Sequence, residues 1–166
     1  MSVELSPIIA GVMNWGVWDK NLNTNEFTHL INLFIENGIT TFDHADIYGG
    51  YTTEASFGKA LSESKIDRKK IQLITKCGIQ YISENRPNNS IKHYEYSKDY
   101  IIWSAENSLK NLQTDYLDVF LLHRPSPLMQ ADEIAEAVSK LKADGKILSF
   151  GVSNFTPFQT ELLRQK

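Results

Sequence analysis

Residues 23–43, NTNEFTHLINLFIENGITTFD, place a helix directly before a strand and decide the fold class. The apolar side chains of the first part recur at helical spacing and form one stripe: Phe27, Leu30, Ile31, Phe34 and Ile35. Asn23 followed by Glu26 predicts a capping box at the start of this helix, and Gly38 predicts its end. Residues 39–42 then form a short run typical of a strand buried on both faces.

The same order of strand and helix recurs along the chain. Short apolar runs predict four further strands at residues 8–13, 71–75, 117–122 and 147–152. Helices are predicted over residues 53–61, from a cap at Ser97, from a cap at Asp132 to Gly145, and from Thr156 with Pro157 at the first position. Five strand–helix units indicate an α/β fold, either an open doubly wound sheet or a (β/α)8 barrel.

One segment interrupts this alternation of strands and helices. Residues 78–96 are predicted to form a long polar loop, and long loops in compact domains are often functional. No linker divides residues 1–166, so a single domain is expected.

Composition excludes several classes of protein. The formal net charge of -3 gives no basic surface for nucleic acid, and no apolar run approaches the roughly 20 residues that span a bilayer. Cys77 is the single cysteine, so no internal disulfide can form and a reducing compartment is expected. The N-terminus lacks the pattern of a secretory signal, so we predict a cytoplasmic protein.

Polar residues follow the predicted strands at the points where they end. Asp43, Lys76 and His123 end the second, third and fourth strands, and Ser153 and Asn154 end the fifth. Because the carboxyl ends of parallel strands lie on one face, where such folds place their active sites, we expect these side chains to lie together.

The residue types at these ends suit carbonyl reduction. Tyr48, five residues after Asp43, is a poor acid near its usual pKa of about 10, and a neighbouring ammonium such as that of Lys76 stabilises its phenolate. A buried lysine needs a counter-charge, which Asp43 supplies. His123 is predicted to orient the carbonyl oxygen. Because no side chain supplies a hydride, a nicotinamide cofactor is implied.

Each residue also has a simpler interpretation when it is taken alone. Asp43 suits a loop or helix cap, Lys76 a solvated strand end, His123 a structural histidine and Tyr48 a packing role. Ser153 with Asn154 suits a turn. No metal site is predicted, because no recognised ligand spacing links the nearby acids and histidines: His44, Asp46, Glu54 and His93.

Four motifs resemble those of the aldo-keto reductase family, in that family's order: residues 42–49 (FDHADIYG), 74–78 (ITKCG), 121–125 (LLHRP) and 151–155 (GVSNF). The first is similar to a bacterial YdhF-type subgroup. The resemblance implies a (β/α)8 TIM barrel and NADPH-dependent reduction of aldehydes or ketones to alcohols. It implies Tyr48 as general acid, Lys76 and Asp43 as its tuning pair with Asp43 also beside the cofactor, and His123 in the substrate pocket.

The resemblance also implies further binding residues. Ser153 and Asn154 would hold the carboxamide of the nicotinamide, and the backbone near Val12 and Met13 would lie beside NADPH. Trp15 would form a wall of the substrate pocket.

Only about five of the eight units of such a barrel can be counted, so the chain is expected to be a truncated N-terminal part. Two open sheet edges would then favour self-association. A small-molecule carbonyl substrate is the expected partner, with neither nucleic acid nor membrane. The alternatives are a catalytically inactive fragment and a non-catalytic module, such as the potassium-channel β subunits of the same fold.

Overall fold

The computed structural model describes residues 3–165, and it contains seven strands and six α-helices in that range. The strands are β1 (Ile9–Gly11), β2 (Thr41–Asp43), β3 (Gln72–Cys77), β4 (Ile79–Gln80), β5 (His93–Tyr94), β6 (Leu117–Leu122) and β7 (Ile147–Val152). The helices are α1 (Thr24–Glu36), α2 (Tyr48–Tyr51), α3 (Thr53–Ser64), α4 (Lys98–Leu112), α5 (Ala131–Ala143) and α6 (Pro157–Arg164). A short 3-10 helix covers Arg68–Lys70.

A five-stranded parallel sheet forms the centre of the molecule, in the order β1-β2-β3-β6-β7. This confirms the predicted α/β fold. The strands of the sheet follow the chain order without a reversal, which is the arrangement of a barrel wall, whereas a doubly wound sheet reverses its strand order. Successive helices α1, α3, α4 and α5 pack side by side.

The core lies between the sheet and these helices. Its largest fully buried side chains come from both layers: Phe27, Ile31, Phe42, Phe57, Ile71, Leu73, Ile101, Leu112, Leu117, Phe120, Leu122 and Ile134. Aromatic rings fill the end nearest β1. The ring centroid of Trp15 lies 5.7 Å from that of Phe27, 5.6 Å from that of Phe34 and 6.3 Å from that of Phe42. These contacts fix the loop after β1 against α1.

Several local predictions are confirmed. Asn23 and Glu26 form the capping box of α1, with hydrogen bonds of 2.7 and 3.1 Å, and Gly38 adopts a φ of +77° after that helix. Ser97 caps α4, and Thr156 forms a capping box with Pro157 at the start of α6.

Other boundaries differ from the prediction. The first strand covers Ile9–Gly11 rather than residues 8–13, and the helix predicted over residues 53–61 continues to Ser64. Asp132 is not a helix cap. The backbone is still extended at Gln130, so α5 begins at Ala131 and Asp132 lies in its first turn.

Residues 78–96 are not a loop throughout. β4 and β5 pair as an antiparallel hairpin, with Ile79 opposite Tyr94 and Gln80 opposite His93. The alternation expected of a strand is too short here to appear in the sequence, since each strand has two residues.

Within residues 3–165, β1 pairs with β2 alone and β7 with β6 alone, so each presents one open edge. None of the helices in this part of the chain is long and apolar enough to cross a bilayer.

Candidate active site

The carboxyl ends of β2 and β3 bring Asp43 and Lys76 together. The ammonium nitrogen of Lys76 donates hydrogen bonds of 2.7 Å to both carboxylate oxygens of Asp43 and one of 2.7 Å to the carbonyl oxygen of His44. The Lys76 side chain is 7% exposed and that of Asp43 is 27% exposed. The lysine is therefore buried, but its charge is paired and its three donors are satisfied.

Tyr48 stands over this ion pair. Its hydroxyl oxygen lies 3.4 Å from the Lys76 ammonium nitrogen, which is itself 5.3 Å from the centroid of the Tyr48 ring. Gly49 and Gly50, with φ values of +59° and +66°, let the chain reverse directly after the tyrosine. A side chain at Gly49 would also overlap Thr53, so this turn requires glycine.

His123 completes the cluster from the end of β6. Its backbone N–H donates to the carbonyl oxygen of Cys77 over 2.9 Å, and its ring centroid lies 6.2 Å from that of Tyr48, edge to face. Burial, then the charges of Lys76 and Arg124, lower the pKa of His123 to about 4. The ring is therefore neutral at pH 7. Its Nδ1 is buried without a hydrogen-bond partner, and the residue lines the cavity described next.

A cavity of about 400 Å³ opens beside Tyr48 and His123. It is lined by Met13, Trp18, Ile47, Tyr48, Ile79, Tyr81, Lys92, His123 and Arg124. Tyr48 and His123 thus line a mostly apolar pocket, the usual form of a site for a small molecule, and the Lys76–Asp43 pair contacts the Tyr48 hydroxyl through Lys76.

Trp18, rather than Trp15, lies in this pocket. The Trp18 ring centroid is 6.2 Å from that of Tyr48 and 6.3 Å from that of Tyr81. Trp15 is 8% exposed and packs within the core beside Phe27 and Phe34, so it does not line the cavity at Tyr48. Both tryptophans lie in the loop after β1, and nothing in their spacing shows which one faces the core.

Comparison with known proteins bears on the whole chain. The model of the aldo/keto reductase family matches residues 7–166. The chain belongs to this family. It is 48% identical over 161 residues to "Uncharacterized oxidoreductase YcsN" of Bacillus subtilis, which covers 97% of this chain and 53% of the relative. It is 46% identical over 163 residues to "Oxidoreductase YdhF" of Escherichia coli, covering 98% of this chain and 53% of the relative.

Solved structures of the family show the same fold. The aldo-keto reductase AKR11C1 of Bacillus halodurans, in a holo form, superimposes with a TM-score of 0.79 at 29% identity, over 98% of this chain and 50% of that one. The five parallel strands and their helices are therefore part of the aldo/keto reductase barrel. The chain spans about half the length of the curated relatives it matches.

Two residues of this aldo/keto reductase could hold a carboxamide. Ser153 and Asn154 follow β7, and Asn154 Nδ2 donates to the carbonyl oxygen of His123 over 3.0 Å and to Ser153 Oγ over 2.9 Å. Since the Ser153 oxygen accepts this bond, its own proton is free to be donated, and the Asn154 side-chain oxygen is free to accept. One donor and one acceptor match the two polar groups of a carboxamide, so these residues fit a nicotinamide.

The loop after β1 lies beside the same face. The backbone N–H of Val12 donates to the carbonyl oxygen of Asp43 over 3.1 Å, which extends the pairing of β1 and β2 to the site. Val12 is fully buried, whereas Met13 is exposed and lines the cavity at Tyr48. Met13, rather than Val12, therefore presents its side chain to the cavity.

A second group of acids, which the sequence suggested only as possible metal ligands, lies behind the site. Asp46 is 3% exposed and accepts a hydrogen bond of 3.2 Å from the Tyr100 hydroxyl. Burial, then the charge of Glu54, raise the pKa of Asp46 to about 8. Burial also raises the pKa of Glu54, which accepts a 2.6 Å hydrogen bond from Thr75.

His44, beside these acids, is fully buried, and its ring centroid lies 4.4 Å from that of Phe57. Burial, then the charge of Lys76, lower the pKa of His44 to about 3, so the ring is neutral. No group of three or more histidine, cysteine or acidic side chains within residues 3–165 is arranged to hold a metal ion.

Proposed function

We propose that this protein is an NADPH-dependent reductase of aldehydes or ketones, with Tyr48 as the proton donor. The observation that carries the proposal is the contact of the Tyr48 hydroxyl, at 3.4 Å, with a lysine ammonium that Asp43 holds by both carboxylate oxygens. Membership of the aldo/keto reductase family supports it. The cytoplasm, where NADPH is available, is the proposed location, in accord with the single unpaired thiol of Cys77.

Tyr48 would donate its proton to the carbonyl oxygen as the carbonyl carbon is reduced. The Lys76 ammonium stabilises the phenolate that this transfer leaves, because the two groups are close in a partly buried site. Asp43 holds the ammonium in place and balances its charge.

His123 would position the substrate. As a neutral ring, it can donate a hydrogen bond from Nε2–H to the carbonyl oxygen without competing with Tyr48 as an acid. Its edge-to-face contact with Tyr48 keeps the two groups on the same side of the cavity.

Bound NADPH supplies the hydride. Ser153 and Asn154 would hold its carboxamide, since together they offer one free donor and one free acceptor beside His123. Met13 would pack against the cofactor or the substrate from the β1 side. Asp43, at the end of β2, would lie beneath the cofactor.

The proposal is tested by tracing the hydride. The purified protein is incubated with 4-nitrobenzaldehyde and NADPH carrying deuterium at both C4 positions, and the product is analysed by mass spectrometry. The expected product is the alcohol with one deuterium on the former carbonyl carbon, and NADPH consumed in equal amount. No alcohol above the rate without protein, or an alcohol free of deuterium, would contradict it.

We also propose that residues 3–165, when studied on their own, associate through the edges of β1 and β7 that are unpaired within this part of the chain. Ile9 on β1 and Leu148 on β7 are exposed apolar residues, and unpaired backbone groups on such edges pair readily with other chains. Sedimentation analysis should show a mass that rises with protein concentration, and Leu148→Lys should reduce this rise. A mass that stays that of a monomer from about 1 to about 200 µM would rule the association out, because pairing with a micromolar dissociation constant would be detected over this range.

A further inference from the structure

Two basic residues, Lys92 and Arg124, line the same cavity as Tyr48 and His123. The other lining side chains are apolar, aromatic or neutral, and no aspartate or glutamate is among those that line it. The proposed reduction needs one proton donor and one orienting group, and Tyr48 and His123 fill these roles. Two further cations at the cavity are therefore not explained by the chemistry of reduction.

Neither cation is neutralised by the protein. Within residues 3–165, no ion pair joins Arg124 or Lys92 to an acid, whereas Lys76 is bound by Asp43 through both oxygens. The formal net charge of the whole chain is -3, whereas the two unpaired cations make the charge at this cavity positive. Such a local field attracts an anion to the cavity.

The backbone at Arg124 is held in place by a buried tyrosine. The Tyr96 hydroxyl donates to the carbonyl oxygen of Arg124 and accepts a hydrogen bond of 3.2 Å from its N–H. A side chain at Gly78 would overlap the Tyr96 ring, so glycine at that position gives the ring its space. The peptide groups on either side of Arg124 are therefore fixed, and they set the point from which its exposed side chain extends at the cavity.

Lys92 reaches the cavity from the hairpin. It directly precedes β5, whose pairing with β4 sets the position of this end of the segment. Asn89 ties the intervening turn to Gln80 with a side-chain hydrogen bond of 2.7 Å and to the carbonyl oxygen of Tyr81 with one of 3.2 Å. The segment predicted from the sequence as a functional loop thus supplies both a cation and an aromatic wall, Tyr81.

We propose that Arg124 and Lys92 bind an anionic group of the substrate, so that the preferred substrates are aldehydes or ketones that carry a carboxylate or a phosphate. This inference rests on the reductase function proposed above. The planar guanidinium of Arg124 can hold two oxygens of either anion, and Lys92 adds a point charge. Trp18 and Tyr81 supply apolar surface for the carbon atoms between the anion and the carbonyl group.

The test compares substrates that differ only in charge. One pair is 4-formylbenzoate and the neutral 4-formylbenzamide, and the other is glyceraldehyde 3-phosphate and glyceraldehyde. For each pair, kcat/KM is measured with NADPH for the wild-type protein, Arg124→Gln, Lys92→Gln and the control Lys69→Gln. Lys69 is an exposed lysine of the 3-10 helix before β3, at the opposite end of that strand from Lys76.

The wild type should prefer the anionic member of at least one pair by about tenfold or more, as expected for a charge-assisted hydrogen bond. Which pair shows the preference distinguishes carboxylate from phosphate. Arg124→Gln and Lys92→Gln should lower this preference severalfold, while the control Lys69→Gln should change neither the preference nor the activity on the neutral substrate. Added salt should weaken the preference in the wild type.

Equal kcat/KM within each pair would overturn the inference while leaving the reductase proposal intact. A raised KM for NADPH in Arg124→Gln with unchanged substrate preference would also overturn it, since the cations would then serve the cofactor. If no substrate is turned over, the reductase proposal fails, and calorimetric titration with 4-(hydroxymethyl)benzoate and 4-(hydroxymethyl)benzamide still decides. If the wild type binds the benzoate more tightly than the benzamide and Arg124→Gln loses this difference, the anion site is supported. Equal affinities of the wild type for the two compounds overturn it.

Discussion

Asp43 and Asp46 lie three residues apart at the end of β2, yet their surroundings are opposite. Asp43 is 27% exposed at its side chain and accepts two hydrogen bonds from the Lys76 ammonium. Asp46 faces the interior beneath α4, is 3% exposed as a residue, and has one carboxyl oxygen without a hydrogen-bond partner. Its other oxygen is 3.2 Å from the Tyr100 hydroxyl and 3.5 Å from the Ser104 hydroxyl.

The environment of each carboxyl group, rather than its residue type, therefore decides its charge and its role. A carboxylate beside a buried ammonium serves as its counter-charge. Without such a partner, burial and the charge of Glu54 raise the pKa of Asp46 to about 8, so the group is largely protonated at pH 7 and acts as a neutral polar group. The same motif therefore contains a charged site residue and an uncharged structural one.

The largest effect on stability is expected from Asp43→Asn. This change leaves the Lys76 ammonium buried without a counter-charge, and we expect it to lower the free energy of unfolding by about 3 kcal/mol at pH 7. Asp46→Asn leaves no buried charge without a partner and removes the proton uptake that folding of the wild type requires at pH 7, so it should lower the free energy of unfolding far less than Asp43→Asn, or raise it. Urea unfolding of both variants measures the contrast, and equal losses would refute the assignment of charge to the two residues.

The next effect is on the pH dependence of stability. The Asp46 pKa is raised from 3.8 to about 8, so the folded protein keeps a proton that the unfolded chain releases in this window. Its contribution to stability is therefore present at low pH and is lost as the pH rises towards 8. From pH 6 to 7.5 the wild type should lose about 2 kcal/mol relative to Asp46→Asn.

The variant serves as the control for other titrating groups in this experiment. His44 and His123 have lowered pKa values, so they bind protons in the unfolded chain more readily than in the folded protein. They therefore make stability rise with pH, opposite to Asp46. Both histidines are present in the two proteins, so their contributions cancel in the difference. Stability curves that run parallel between pH 6 and 7.5 would show that Asp46 is ionised in the folded protein.

The smallest effect is expected at Thr75. Thr75→Val removes the 2.6 Å hydrogen bond to buried Glu54 while keeping nearly the same volume, and should lower the free energy of unfolding by about 1 kcal/mol. The reductase activity should stay near that of the wild type, because the change affects the interior acids and not the Lys76 pair. A loss of activity beyond about tenfold at unchanged stability would show that the two regions are coupled.

The sequence predicts the larger features because they depend on periodic patterns. The spacing of apolar residues indicates the five units, and the position of Asp43, Lys76 and His123 directly after strands indicates a shared face. Because the strands pair in parallel, their carboxyl ends lie next to one another. The hydrogen bond from the His123 N–H to the Cys77 carbonyl oxygen shows this for β6 and β3.

The missing features depend on packing between distant segments. Trp15 and Trp18 are chemically alike, and only the packing of α1 against the sheet decides that Trp15 enters the core. The raised pKa of Asp46 results from its burial beneath α4 and from the charge of Glu54, and the placement of Lys92 requires the β4–β5 hairpin. These contacts join residues that are far apart in the sequence, so no local sequence pattern predicts them.

The central claim is that Tyr48 donates the proton in reduction, and the most direct test compares two tyrosines. Tyr48→Phe and the control Tyr116→Phe remove the same hydroxyl group, but Tyr116 precedes β6 and lies at the other end of that strand from His123. With NADPH and 4-nitrobenzaldehyde, kcat should fall about a hundredfold to ten-thousandfold in Tyr48→Phe and stay near wild type in Tyr116→Phe. A Tyr48→Phe protein that keeps kcat within threefold of an active wild type would contradict the account.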